Sequence, residues 1–228
     1  MFFLAPHPPV ARPQPGSPRM FNVNFIEKYM SRVKPLHIVS VWGPVAVYLL
    51  VHALRDPVLS LGRVASLAAG GLFFWTFLEY LLHRFIFHFH FDKSKEVQND
   101  LSFLIHGIHH DFPNDADRLV MPPAITLVVA VVVGAPLWLL LGPHAFFPFF
   151  GATVLGYIWY DLTHYALHHV KAFTFWGRNQ KQYHMVHHYQ TPEIRYGVTT
   201  PLWDIVFRTY PWGKRAAELP GEGQHSAR

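Results

Sequence analysis

Ten of the seventeen histidines fall into four short boxes, and any fold available to this chain has to answer to them. The boxes read HRFIFH (His83, His88), HGIHH (His106, His109, His110), HYALH (His164, His168) and HMVHH (His184, His187, His188). The i, i+3, i+4 spacing of the second and fourth boxes puts three rings on one helix face, and the i, i+4 pair of the third does the same for two. The first box is spaced i, i+5, about 140° apart on an ideal helix, so it requires an irregular turn or a π-bulge. A lone histidine is most often a hydrogen-bonded core or interfacial group. Neutral imidazole is also the commonest protein metal ligand. Ten at ligand spacing are too many for one ion and suit two.

The chain around the boxes reads as membrane protein. Charged residues make up 14% of the 228, against about 25% in a soluble domain, and aromatics reach 16%. Four apolar stretches, about 36–54, 64–82, 119–141 and 145–162, each suit a crossing or nearly so. The predicted fold is therefore all-α and integral to a membrane, with four transmembrane helices and a cytosolic helical cap holding a histidine-rich two-metal site. Ala68, Ala69, Gly70 and Gly71 give the second stretch a small-residue face for close helix approach. Residues 1–20 are proline-rich and expected to be a disordered tail. Residues 21–35 suit an interfacial helix, with Phe21, Phe25 and Ile26 apolar and Lys28, Arg32 and Lys34 basic. Residues 21–210 are expected to form a single domain and 211–228 a flexible tail. With no cysteine, a metal must sit on nitrogen and oxygen ligands.

Span parity tests the shared site. The boxes follow the second span, precede the third, follow the fourth and lie in the C-terminal region, so four crossings put every box on one side. The segment before the first span carries Arg12, Arg19, Lys28, Arg32 and Lys34. The C-terminal region carries Lys171, Arg178, Lys181, Arg195, Arg208, Lys214, Arg215 and Arg228, while the opposite loops offer only Arg55 and Arg63. The positive-inside rule then places both termini and all four boxes in the cytoplasm. The net charge of +5 is distributed to suit a membrane surface, and no nucleic-acid motif is visible.

Ligating histidines usually give their second N–H to a carboxylate or carbonyl. Glu79 stands four residues before His83, Asp161 three before His164 and seven before His168, and Asp111 follows His110; these are the candidates for that role. His90 and His169 are ambiguous, with His168 preferred to His169. His7, His37, His52, His144 and His225 lack spacing partners and read as structural or surface residues. Imidazole suits zinc, copper, iron and nickel. A structural zinc site would close with four ligands. Five nitrogens for each of two adjacent ions fit an O₂-activating pair of irons better, with zinc as the substitute expected in purified protein.

At EYLLHRFIFH (Glu79 to His88), HGIHHDFPNDADRLVMPP (His106 to Pro123), YDLTHYALHH (Tyr160 to His169) and YHMVHHYQTPEIRYGVTTPLWDIVFRTY (Tyr183 to Tyr210) the sequence resembles the fatty acid hydroxylase superfamily, and most of all its fatty acid 2-hydroxylase branch. The resemblance implies a bundle of four membrane helices under a cytosolic cap, two iron ions, and O₂-dependent hydroxylation of a lipid acyl chain at the carbon beside a carboxyl or amide carbonyl. It also implies that the ten box histidines are the metal ligands. A division with His83, His88, His106 and His110 on one ion and His109, His164, His168, His184 and His188 on the other leaves His187 open to either. Eukaryotic members commonly carry a cytochrome b5-type domain. No HPGG haem motif occurs here, so electrons are expected from a separate ferredoxin or cytochrome. Arg118 is expected to pair with Asp115 or Asp117 rather than with a lipid headgroup. Aromatic residues near the boxes (Phe85, Phe87, Phe89, Tyr157, Trp159, Phe173, Phe175, Trp176) suit an interfacial belt more than an acyl entry. The competing readings are a sterol, carotenoid or aminolipid headgroup as substrate, or a membrane metal-binding protein without enzymatic activity.

Overall fold

Proline and serine set where the helices begin. In the computed structural model, which describes residues 18–88 and 106–212, a short α1 (Asn24–Tyr29) leads into α2 (Pro35–Leu54), opened by Pro35. Proline suits a first helical position because its missing N–H would have no partner there anyway. Ser60 caps α3 (Leu61–Leu81), its hydroxyl oxygen accepting from the Arg63 amide at 3.3 Å. α3 continues without a stop into a π segment, Leu82–Phe87. The single turn α4 (Ile108–Asp111) follows, then α5 (Pro123–His169), α6 (Phe175–Tyr189) and α7 (Leu202–Val206).

Among the described residues three helices are long and apolar enough to cross a membrane: Pro35–Leu54, Leu61–Phe87 and Pro123–His169. The third replaces the two spans expected at 119–141 and 145–162. Residues 119–122 stay outside it because the Pro122–Pro123 pair disfavours helical backbone just before each proline. The break expected between 141 and 145 shrinks to one residue, Gly142, at φ 69° and ψ 174°. That conformation is essentially reserved for glycine.

Gly142 reverses the chain. A Cβ on Gly134 would lie 3.1 Å from the Phe150 ring, and Trp138 packs edge-on against Phe146 and Phe147. On a straight helix residues 134 and 150 would stand about 24 Å apart. Trp42 of α2 touches both halves: its indole N–H donates to Thr126 Oγ1 at 2.9 Å, and its ring meets Tyr157 edge-on. The long elements thus form four antiparallel rods, α2, α3 and the two halves of α5.

Small residues set how closely the rods approach. A Cβ on Gly71 would sit 2.0 Å from the Phe149 carbonyl oxygen, and one on Gly156 would meet the Trp75 side chain at 2.6 Å. The small-residue face at Ala68–Gly71 is therefore where α3 meets α5. A stripe of Ile38, Trp42, Ala46 and Leu49 turns α2 inward. Outside, the rods expose what a soluble protein hides: Leu36, Leu61, Leu139 and Leu140 are all more than two-thirds accessible. Lipid is the solvent that matches such a surface.

Fold begins earlier than the sequence suggests at the N-terminal end. Met20, assigned to a tail, is buried against Ile108 and Phe112, and its amide donates to Glu27 Oε2 at 2.9 Å. Residues 1–17 and 213–228, most of both expected tails, lie outside the described residues, as do Phe89 and His90.

Candidate metal centre

Four stretches deliver the ten rings to one end of the rods. The π segment supplies the first box, and its backbone solves the i, i+5 spacing: the His88 amide donates to the His83 carbonyl at 3.1 Å. α4 and the turn before it supply His106, His109 and His110, the last turns of α5 supply His164 and His168, and α6 supplies the rest. The rings converge as two sets of five: His83, His88, His106, His110 and His187, and His109, His164, His168, His184 and His188. His187, left open by the sequence, joins the first. The sets touch, with His110 and His188 stacked at 4.2 Å between ring centroids.

The spacing within each set fits a bound ion. In the first, Nε2 atoms stand 3.2 Å (His83 to His106 and His83 to His88), 3.0 Å (His106 to His110) and 3.1 Å (His88 to His187) apart. In the second, His168 to His184 is 2.9 Å and His184 to His188 is 3.0 Å. Two nitrogens bound at right angles to an ion at about 2.1 Å stand about 3.0 Å apart. His109 and His164 carry buried Nε2 atoms with no hydrogen-bond partner. Buried polar atoms are almost always paired, and an ion would pair these.

Two of the outer ring nitrogens are held by the backbone. His83 Nδ1 donates to the Tyr196 carbonyl at 2.5 Å and His187 Nδ1 to the Ile194 carbonyl at 2.7 Å, which fixes their protons outward and turns the Nε2 lone pairs inward. Burial favours the neutral rings. It pushes His106, His109, His184, His187 and His188 well below the ordinary histidine value, and His110, with His83 and His168 adding to the effect, down to about 3. All are ready to donate a lone pair at neutral pH.

Glu79 is placed differently from its predicted role. It accepts from the Val198 and Thr199 amides at 2.7 and 2.9 Å and from Thr199 Oγ1 at 2.5 Å, so it grips the loop that carries the Tyr196 carbonyl rather than a ring. Asp204, which spacing did not single out, grips the same loop. It accepts from the Tyr196 and Gly197 amides at 2.9 and 2.7 Å and from Thr209 Oγ1 at 2.7 Å. Its one sequence signal is a lone carboxylate inside the apolar run LWDIV. Asp161 also departs from expectation: no hydrogen bond joins it to His164 or His168 among the described residues. Asp111 closes α4 directly after His110. His169 stacks on Tyr165, outside both sets.

A family model for fatty acid hydroxylases matches residues 68–209, which hold every one of these rings. The chain belongs to the fatty acid hydroxylase family. It is 36% identical over 213 residues to the dihydroceramide fatty acyl 2-hydroxylase FAH1 of Arabidopsis thaliana, covering 91% of this chain and 85% of that one. With the ceramide very long chain fatty acid hydroxylase SCS7 of Saccharomyces cerevisiae it shares 36% identity, over 86% of this chain and 50% of that protein. The solved structure of full-length scs7p, in which only the hydroxylase domain is visible, superposes with a TM-score of 0.77 at 35% identity, covering 83% of this chain and 70% of that one.

In this fatty acid hydroxylase a cavity of about 190 Å³ opens beside His106, His109 and His164, and Met20, Ile26 and Met30 form part of its wall. Glu27, in the helix that carries Ile26, fastens that wall. It pairs with Arg118, which also bonds Asp115 Oδ2 at 3.2 Å, and Arg32 joins Glu27 at 3.2 Å. Of the two carboxylates anticipated for Arg118, Asp115 pairs with it, and Glu27 is added. Burial alone would raise the Glu27 carboxyl. The Met20 and Phe21 amides and the Arg118 and Arg32 guanidinium groups outweigh that and hold it below the usual range.

Proposed function

We propose that this fatty acid hydroxylase places a hydroxyl group on C2 of a lipid acyl chain, using O₂ and two iron ions held by the two histidine sets. The observation that carries the reading is the pair of adjoining five-nitrogen sets, opening on a cavity, in a chain whose relatives are named 2-hydroxylases of fatty and dihydroceramide acyl chains. The balance is one C–H bond and one O₂, with two electrons and two protons, giving one C–OH and one water. Bound iron would supply the O₂-activating and oxidising chemistry. The chain's own residues keep the rings neutral, aim their lone pairs inward through Tyr196 and Ile194, and enclose the cavity beside them.

Two electrons per turnover have to come from elsewhere, and we assign them to a separate ferredoxin- or cytochrome-type protein. The reversal at Gly142 supports four membrane crossings, and the loop charges support a cytoplasmic metal site with the described ends on that side. Ligands gathered at one end of the rods argue against transport, whose sites lie near the bilayer midplane.

The test is mass spectrometry of lipids from cells expressing the chain with iron available. Acyl chains gaining one oxygen at C2, and losing it with His109→Ala or His187→Ala, are the expected result. Two irons per chain in protein purified from its native host should accompany it. An unchanged lipid profile from an iron-loaded, electron-supplied enzyme would overturn the reading.

A further inference from the structure

A second cavity lies between the rods, and its lining gives water nothing to hold. It measures about 50 Å³ and is bounded by Trp42, Leu78, Val129, Val133, Phe150 and Val154 among others. The polar groups on its wall already have partners. The Trp42 indole N–H donates to Thr126 Oγ1 at 2.9 Å, and Thr153 Oγ1 donates to the Phe149 carbonyl at 2.9 Å. Glu79 holds the Val198 and Thr199 amides, and the Tyr157 hydroxyl serves Asp161. The Trp75 indole N–H has no partner, but a buried water needs two to four and one donor is too few. Apolar cavities of this kind stay dry and take up apolar guests such as xenon.

This cavity is a middle link. At the ring end it shares Phe87, Met121 and Tyr160 with the cavity beside His106, His109 and His164. At its other end it shares Ala130 and Phe150 with a groove between the two halves of α5. Gly134, Trp138, Leu139 and Phe146 wall that groove, and the exposed Trp138 and Leu139 place it on the lipid face. Phe150 precedes His164 by 14 residues, about 21 Å along a helix, so the groove opens deep in the hydrocarbon. The Phe150 ring stacks on Phe146 at 4.9 Å between centroids and passes over Gly134, where a Cβ would lie 3.1 Å from it. Size then selects what travels here. One water-sized molecule needs about 10–15 Å³, so 50 Å³ takes a few in file and no long acyl chain. O₂ is small and apolar, and it favours hydrocarbon over water as any apolar solute does.

We propose that the groove, the junction at Ala130 and Phe150, and the inner cavity form a route by which O₂ passes from the bilayer core to the space beside His106, His109 and His164. This rests on the O₂-dependent 2-hydroxylase reading. Xenon reads the route without turnover. Crystals of the metal-loaded full chain under xenon pressure should show bound atoms in the inner cavity of wild type. Ala130→Phe puts a ring into the junction and should lose them. In turnover that variant should fall several-fold in kcat/KM for O₂, a loss that fades as O₂ is raised, while KM for the lipid does not follow. Val133→Phe fills the inner cavity from the next turn and should act alike, so the test does not depend on one variant folding. Val47→Phe, at an exposed site on α2, should match wild type.

Ordered water in the inner cavity of wild type, or no xenon there, overturns the proposal without any variant. So does wild-type kcat/KM for O₂ in a plugged variant that folds. A plug that instead raises KM for the lipid, or shortens the acyl chains accepted, gives the cavity to the acyl tail and overturns the proposal too. Hydroxylated product without xenon in the cavity removes the route and leaves the 2-hydroxylase reading standing. Xenon in place with no hydroxylated product from any lipid rejects that reading and leaves the route standing.

Discussion

Single residues decide whether the rings stay aimed, and the loop at 194–199 does most of that aiming. Asp204→Ala strands the Tyr196 and Gly197 amides in a buried setting and leaves the Thr209 hydroxyl with Tyr80 alone. Unpaired buried groups cost about 1–3 kcal/mol each, so a loss of roughly 3 kcal/mol or more is expected, seen as a lower thermal midpoint in detergent. Glu79→Ala releases the same loop from the α3 side and should lower metal content at the His83 set first, taking two ions per chain toward one by elemental analysis. These residues also show where the sequence stops. Glu79 was noticed for lying one turn before His83, but its partners Val198 and Thr199 are 119 and 120 positions away, and no helical period points to them. Glu27 gives the pH dependence. Its carboxyl is held below its unfolded value of about 4.3, so its contribution is present above that value and is lost as pH falls through the folded one. Glu27→Gln leaves Arg118 short of a partner and should cost about 3 kcal/mol at neutral pH. Unfolding curves of the variant and wild type should converge in acid, once the pH has fallen below the lowered folded value.

At the level of elements, patterns of short period read well and long-range packing does not. The i, i+5 box demanded an irregular turn, and the π segment provides it. Small residues at 68–71 promised a close helix contact, though nothing in the run names Phe149 as the neighbour. The double proline at 122–123 delays the helix start, and the apolar run that continues across it conceals the delay. Gly142 and Pro143 mark a break between the stretches ending at 141 and starting at 145, and Pro148 follows closely. Both prolines are accommodated inside the helix, and Gly142 alone makes the reversal. Gly142→Ala forces a Cβ into backbone space that L-residues avoid, at a cost of about 1–3 kcal/mol even though nothing crowds the position. Gly71→Ala has ordinary helical backbone and no room. It should push α3 from α5 and cost a similar 1–3 kcal/mol by overpacking. Trimming the Phe149 side chain should not rescue Gly71→Ala, because the clash is with the Phe149 carbonyl.

The whole molecule rests on where the two ends of the rods lie. α5, at 47 residues, would be about 70 Å long if straight, more than twice a hydrocarbon core of about 30 Å. Folded at Gly142, it brings His144 onto the α2–α3 turn, where His144 Nδ1 meets Asp56 Oδ2 at 2.6 Å. Four crossings therefore predict that this turn and the Gly142 bend share one aqueous face, with the histidine end on the other. The chain has no cysteine, so single cysteines report without background. Val58→Cys and His144→Cys mark the bend face, and Tyr189→Cys and Trp212→Cys, both exposed in wild type, mark the other. A membrane-impermeant thiol reagent added to intact cells should modify the first pair alone, and the second pair should react only after the membrane is opened. Modification of position 58 but not 144 would mean that α5 does not return, and the shared face would be lost. Modification of all four in intact cells would mean that the rods do not span. If only 189 and 212 react, the crossings stand and the orientation is reversed, placing the metal site where the loop charges argue against it.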